Sequence, residues 1–210
     1  MQIKIFGERH TATNALSAFI QLNFSCINRY YDFLGWKHRR APEKQEWKKQ
    51  DYQNTLFIFT VRNPYTWLKA MHREPYYCHQ PGIKKLSFRD FIRYPIEDYE
   101  NCIQMYNEKN NGYIRMSNDV PHALFIRMED FLDDQNMIYE QLSNIFQPKS
   151  TFQPYEKYTS GLGENQKKEL GGTTQLPPVP DSTYEIINKQ LDNNLMCAFH
   201  YSYANTSSDY

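Results

Sequence analysis

The stretch MQIKIFGERHTATNALSAFIQLNF, residues 1–24, decides how the rest of the chain is read. Ile3 and Ile5 alternate with polar residues, the period of a strand, and the run stops at Gly7, where the backbone can turn sharply. Beyond a polar loop the spacing turns helical at Ala15, Leu16, Phe19, Ile20 and Leu22. A strand, a glycine turn and a helix opening on hydroxyl residues suit an anion, because the first helical N–H groups have no partner inside the helix. The candidates to hold it are Arg9, His10, Thr11, Ala12, Thr13 and Asn14. The lysine-bearing GK[ST] ending of a nucleoside-triphosphate loop is missing, which turns the reading away from ATP or GTP with magnesium. Taken by itself, the segment also reads as a plain strand-to-helix turn with a threonine cap.

Two further apolar runs, TLFIFTV (55–61) and HALFIRM (122–128), read as strands of a sheet covered on both faces, and RYYDFLGW (29–36) is a weaker fourth. Helices are expected over 13–24, 65–72, 96–110 and 129–146, the last opening on the carboxylates of MEDFLDD. Strands alternating with helices predict an α/β fold with a central, mainly parallel β-sheet flanked by helices. From 148 to 180 the composition shifts to Gly, Pro, Thr and Ser, which predicts a long irregular loop or lid. DSTYEIINKQLDNNLMCAFHYSY (181–203) then closes the chain, with Asp181 or Ser182 as cap, and the tail after it is expected to fray.

A chain of 210 residues is expected to form one domain over 1–210. Its formal charge is zero, which gives no footprint for nucleic acid. Cys26, Cys78, Cys102 and Cys197 lie far apart, as buried thiols of a reducing compartment do. No apolar run approaches the roughly 18–20 residues that cross a bilayer, and the first residues lack a signal peptide's layout. These features predict a cytoplasmic protein without stable membrane insertion. Nothing in the sequence sets an oligomeric state.

The second chemistry-bearing stretch is LFIFTVRNPYTWLKAMHREPY (56–76). A buried strand ends at Arg62, and Asn63-Pro64 starts a helix with proline where its missing N–H costs least. Arg62 is thereby placed at the carboxyl edge of a parallel sheet, where ligands of open α/β folds bind, and a guanidinium matches phosphate bidentately. Between the two loops lies LGWKHRRAPEKQEWKK (34–49), which carries His38. Here Lys37, Arg39, Arg40, Lys44, Lys48 and Lys49 face Glu43 and Glu46, an excess of about four charges that suits an acidic acceptor or a solvated loop. Tyr30, Tyr31, Trp36, Tyr76 and Tyr77 suit either an aromatic pocket or the core. His72, Cys78 and His79 lack the tight paired spacing of a zinc site, so no metal is assigned.

GERHTATNAL (7–16) resembles the 5′-phosphosulfate loop of the sulfotransferases that use 3′-phosphoadenosine 5′-phosphosulfate (PAPS). On that pattern His10 falls on the family's lysine, Thr11 and Ala12 on its small residues and Thr13 on its hydroxyl position. RNPYTW (62–67) is similar to the family's 3′-phosphate motif, led by Arg62. The serine expected two turns later is Ala70 here, with Lys69 and Thr66 as the nearby substitutes. GWKH (35–38) is similar to a motif of bacterial members, and the resemblance gives His38 the role of base. HALFIRMEDFLDD (122–134) resembles a later strand-and-acid segment with Met128 where tyrosine is common, and the closing helix ends on His200-Tyr201 in place of a Gly-Tyr pair. A late loop over the nucleotide would fall in 148–180, with Lys167, Lys168 and Gly171 as candidates.

The resemblance implies a three-layer P-loop-like fold and a sulfotransferase that moves a sulfuryl group from PAPS to a hydroxyl of a small-molecule or carbohydrate acceptor, with no metal. His38 would deprotonate the acceptor, Arg9 and His10 would meet charge on the leaving phosphate, and Arg62 would fix the 3′-phosphate. Two other readings stand beside it: a nucleotide or small-molecule kinase with a divergent loop, and a non-catalytic nucleotide-binding relative.

Overall fold

A computed structural model describes residues 1–75, 82–156 and 179–206. Four strands, β1 (Gln2–Gly7), β2 (Ile27–Arg29), β3 (Thr55–Val61) and β4 (Ala123–Arg127), form one sheet in the order β2-β1-β3-β4. Every pairing is parallel, and Gly7 lies opposite Thr60. The α/β class read from the sequence is therefore the class observed. Residues alternate between faces as period two requires. Ile3, Ile5, Leu56, Ile58 and Ile126 pack with Leu16, Phe19 and Ile20 of α1 (Thr13–Asn23) and with Phe131, Ile138 and Leu142. Phe131 belongs to α6 (Met128–Asp133), and Ile138 and Leu142 to α7 (Gln135–Ser143). On the opposite face Phe6, Phe57 and Phe59 meet Phe33, Leu34, Trp47, Tyr113, Met116 and Val120. Trp47 ends the short α2 (Lys44–Trp47), and Tyr113 and Met116 lie on α5 (Cys102–Asp119).

The chain divides into two compact units, Met1–Arg62 with Gly112–Thr174, and Asn63–Asn111 with Gln175–Tyr210. The sheet and both of its apolar faces belong to the first. The second is built from α3 (Pro64–Arg73), α4 (Phe88–Phe91), α8 (Asp181–Gln190), α9 (Asn193–Ala198) and the part of α5 before Gly112. Its centre is Tyr65, whose hydroxyl donates to Asn188 Oδ1 and accepts from the Ala204 N–H at 2.9 Å. Burial pushes the Tyr65 phenol up to about 12. A phenol that holds its proton longer in the folded state stabilises fully below pH ~10, its unfolded value, and loses that contribution as pH climbs towards 12. Urea denaturation is therefore expected to show a stability loss between those limits that Tyr65→Phe flattens; an unchanged slope would remove Tyr65 as its source.

Several boundaries differ from the expected ones, each for a local reason. Of the fourth candidate region, 29–36, only Arg29 lies in a strand, at the end of Ile27–Arg29 paired with β1, because Leu34 and Gly35 adopt positive φ of 60° and 73° and turn the chain after it. The helix expected at 96–110 starts at Cys102 instead, where the Asn101 side chain accepts from the N–H groups of Ile103 and Gln104, and it runs past Gly112. The helix expected over 129–146 is two, broken at Asp134, which caps the second by accepting from Met137 N–H. Asp192 likewise splits the closing helix. Asp181 lies in the first turn of α8 rather than at its cap, which is Pro180. Of the segment 148–180, residues 157–178, including Lys167, Lys168 and Gly171, lie outside the described residues, as do Tyr76, Tyr77, Cys78 and His79. Among the described residues no helix is long and apolar enough to cross a membrane.

Candidate functional site

The sheet order makes β1 the strand at which the chain reverses direction across the sheet, with β2 on one side and β3 on the other. Ligands of open parallel sheets bind outside the carboxyl ends of the strands at that reversal. Gly7 is the last residue of β1, and Arg62 follows the last residue of β3. Gly7 is there because nothing larger fits. A Cβ on it would stand 1.9 Å from Thr60 Oγ1 and 2.7 Å from the Thr60 carbonyl oxygen.

The turn from Gly7 to α1 is strained. His10 and Ala12, neither a glycine, have φ of 63° and 62°, a conformation that costs an L-residue roughly 1–2 kcal/mol. Positive φ on both sides of Thr11 makes the turn a tight one. Ala12 is the N-cap of α1 and has no capping side chain, and no acid stands in the first turn. Thr11 is spoken for. Its hydroxyl donates to the Glu8 carbonyl at 2.6 Å, so it accepts from Thr60 Oγ1 at 2.7 Å. What Thr11 can offer a ligand is its backbone N–H. Thr13 is buried at the first helical position, Asn14 is exposed, and Arg9, His10 and Ala12 are half-buried. Glu8 is 2 % exposed, which puts a carboxyl inside the same turn and calls for neighbouring positive charge.

Arg62 joins the two loops. It is 5 % exposed, and its Nη1 donates to the His10 carbonyl at 3.0 Å. The guanidinium from the end of β3 thus holds the turn that follows β1.

The segment before α2 closes the other side. The Gly7 N–H donates to the Lys37 carbonyl at 3.0 Å, and His38 Nδ1 meets the Gly7 carbonyl at 2.5 Å. A carbonyl only accepts, so Nδ1 carries a proton, and in the neutral ring the lone pair falls on Nε2. That is the tautomer a general base needs. His38 is 8 % exposed, with Trp36 edge-on to its ring at 5.0 Å. It reaches the sheet edge through β1, not as the end of a strand of its own.

Lys37 is the residue that sequence reading passed over. It was counted only in a basic patch, yet its Nζ donates to Asn14 Oδ1 in the first turn of α1. A lysine absent from the loop is thereby present beside it, contributed from outside. Burial lowers the Lys37 pKa from its ordinary value. Lys37 also lines a cleft of about 70 Å³ together with Thr13, Ser17, Asn28, Tyr30 and Tyr31. Tyr31 is 70 % exposed, so the aromatic pair at 30–31 is surface and not core. Two cations of the patch are paired: Arg39 grips Glu46 at 3.0 and 2.9 Å, and Lys44 meets Asp119 at 3.2 Å.

The stretch beyond Arg62 that resembles a 3′-phosphate motif belongs to the second unit. Asn63 caps α3 by accepting from Tyr65 and Thr66 N–H, and the Thr66 hydroxyl donates back to the Asn63 carbonyl at 3.1 Å. Lys69 lies over the Phe88 ring at 5.1 Å, and Ala70 is buried in the helix. His72 donates from Nε2 to the Leu86 carbonyl at 2.8 Å and packs on Phe88 and Phe91, a structural use. Among the described residues no cluster of metal-ligating side chains occurs. No family model, curated protein or solved structure matches this chain.

Proposed function

We propose that the chain is a PAPS-dependent sulfotransferase acting on a hydroxyl acceptor, with a P-loop-like nucleotide site at the carboxyl ends of β1 and β3. The observation that carries the reading is the Arg62–His10 hydrogen bond, which brings the two sequence motifs into one site. PAPS carries phosphate at both ends of one ribose, and two adjoining cationic loops suit it better than a linear polyphosphate. Its recognition here would rest on the N–H groups of residues 11–13, on Arg9 and His10, and on Arg62.

His38 Nε2 takes the proton from the acceptor hydroxyl as its oxygen bonds to sulfur, and the bond from sulfur to the bridging phosphate oxygen breaks. The electron pair leaves with 3′,5′-bisphosphoadenosine. Arg9, His10 and Lys37, with the loop N–H groups, stabilise that charge. No metal takes part. The acceptor is a small molecule or carbohydrate, and the cleft under Tyr31 is where we place its ring. Cys26, Cys102 and Cys197 are thiols, which suits a cytoplasmic setting.

The test is calorimetric binding of 3′,5′-bisphosphoadenosine, followed by transfer of labelled sulfate from PAPS to carbohydrate and phenolic acceptors. Arg62→Ala is expected to weaken binding by about ten- to hundredfold, the loss of one charge-assisted hydrogen bond worth roughly 1.5–3 kcal/mol. Equal affinity for ATP-Mg²⁺ with no preference for a 3′-phosphate would point to a kinase. Tight binding with no transfer to any acceptor would point to a non-catalytic relative.

A further inference from the structure

A lysine in the middle of a buried strand needs a reason, and Lys4 of β1 is 1 % exposed. Its Nζ donates to the Tyr30 carbonyl at 2.6 Å and to the Gly35 carbonyl at 2.7 Å, and lies 5.1 Å from the centre of the Phe6 ring. Those carbonyls bracket the turn in which Leu34 and Gly35 take positive φ. Immediately after Gly35 come Trp36, Lys37 and His38. Three residues further along β1, Gly7 holds the same segment through Lys37 and His38. One strand therefore grips the segment at two places, and the one nearer the start of β1 is a cation, which also borders the cleft assigned to the acceptor.

We infer that Lys4 is a positioning residue: by clamping Tyr30 and Gly35 to β1 it sets where Lys37 and His38 stand and which tautomer His38 holds. An apolar residue of similar length would fill the space but leave both carbonyls without these charge-assisted bonds, which are roughly twice as strong as neutral ones. The turn would then lose its anchor while the sheet, held by Phe57, Ile58 and Phe59, keeps its own. The catalytic part of this inference rests on the sulfotransferase reading; the structural part does not.

The experiment compares the wild-type chain with Lys4→Met and Lys4→Arg, using amide hydrogen exchange and ¹⁵N NMR of the His38 ring. In Lys4→Met the Gly7 and Arg39 amides, both bonded to this segment, are expected to exchange about tenfold faster or more, while the Phe57 and Ile58 amides stay within about twofold. The His38 signals should move from a protonated Nδ1 towards a mixture of tautomers, and Lys4→Arg should recover most of both changes. With PAPS and an acceptor that turns over, kcat should fall by about ten- to hundredfold with the PAPS KM within about threefold. Unchanged exchange and unchanged ring signals overturn the inference. So does faster exchange across β3 as well, which would make Lys4 a residue of the sheet's general stability. Should Lys4→Met give no folded protein, the same two readouts on Lys4→Gln decide. If they respond but the wild-type chain transfers sulfate to nothing, the positioning role stands and the sulfotransferase reading falls.

Discussion

Replacing His38 with asparagine is expected to lower kcat for sulfuryl transfer by about 10²- to 10⁴-fold, the range a positioned general base contributes. Asparagine is the informative choice because its amide nitrogen can take the place of Nδ1 and donate to the Gly7 carbonyl, which His38 meets at 2.5 Å. The variant should keep the turn intact while lacking a lone pair where Nε2 stood. Affinity for 3′,5′-bisphosphoadenosine should stay within about threefold, because His38 makes none of the proposed anion contacts and the bond that holds its segment, Lys37 included, is kept. His38→Ala should be as slow but less stable, since it strips a buried carbonyl of its partner, a cost of roughly 1–3 kcal/mol. Steady-state kinetics with saturating PAPS, read beside calorimetry, separates the two effects. An asparagine variant that turns over at the wild-type rate removes His38 as the base, whatever its role in folding.

How much of this site could be read in advance depends on how local the cause is. Gly7, Asn63 and Pro64 announced a turn and a helix start through properties of single residues, and the alternation of Ile3, Ile5, Leu56 and Ile58 announced a buried sheet. Helix ends set by one capping side chain, at Asn101, Asp134 and Asp192, were legible in principle and were outweighed by apolar periodicity running through them. Lys37 and Lys4 were not legible at all. Lys37 acts on Asn14 and Lys4 on Tyr30 and Gly35, and both contacts follow from a reversal of the chain at Leu34 and Gly35. That stretch is rich in the aromatics that favour strands, so the reversal was read as a strand. The hydroxyl of Thr11 shows the opposite error. The sequence offers it as a donor to an anion, but the register that sets Gly7 against Thr60 draws its side chain back into the sheet edge.

That register makes Gly7→Ala the glycine-to-alanine change expected to clash most among the described residues. The new Cβ would meet Thr60 Oγ1 at 1.9 Å, the Thr60 carbonyl oxygen at 2.7 Å and Thr11 Oγ1 at 2.9 Å. Rotating Thr60 relieves the first contact but breaks its hydrogen bond to Thr11, and the carbonyl cannot rotate away without parting β1 from β3. Overpacking of this kind costs typically 1–3 kcal/mol, and the strand separation places Gly7→Ala at about 3 kcal/mol. The damage should reach the site as well, because the Gly7 N–H and carbonyl hold Lys37 and His38. Urea denaturation with Thr60→Ala as the companion variant isolates the cause. Thr60→Ala alone should cost about 1 kcal/mol for its hydrogen bond, yet in the Gly7→Ala background it should recover part of the loss, because it removes the Oγ1 contact and leaves the carbonyl one, a coupling of opposite sign to the single effect. A Gly7→Ala chain as stable as wild type, or losses that simply add in the double variant, would mean that the two strands do not meet in this register, and the proposed anion cradle would have to be rebuilt from a different turn.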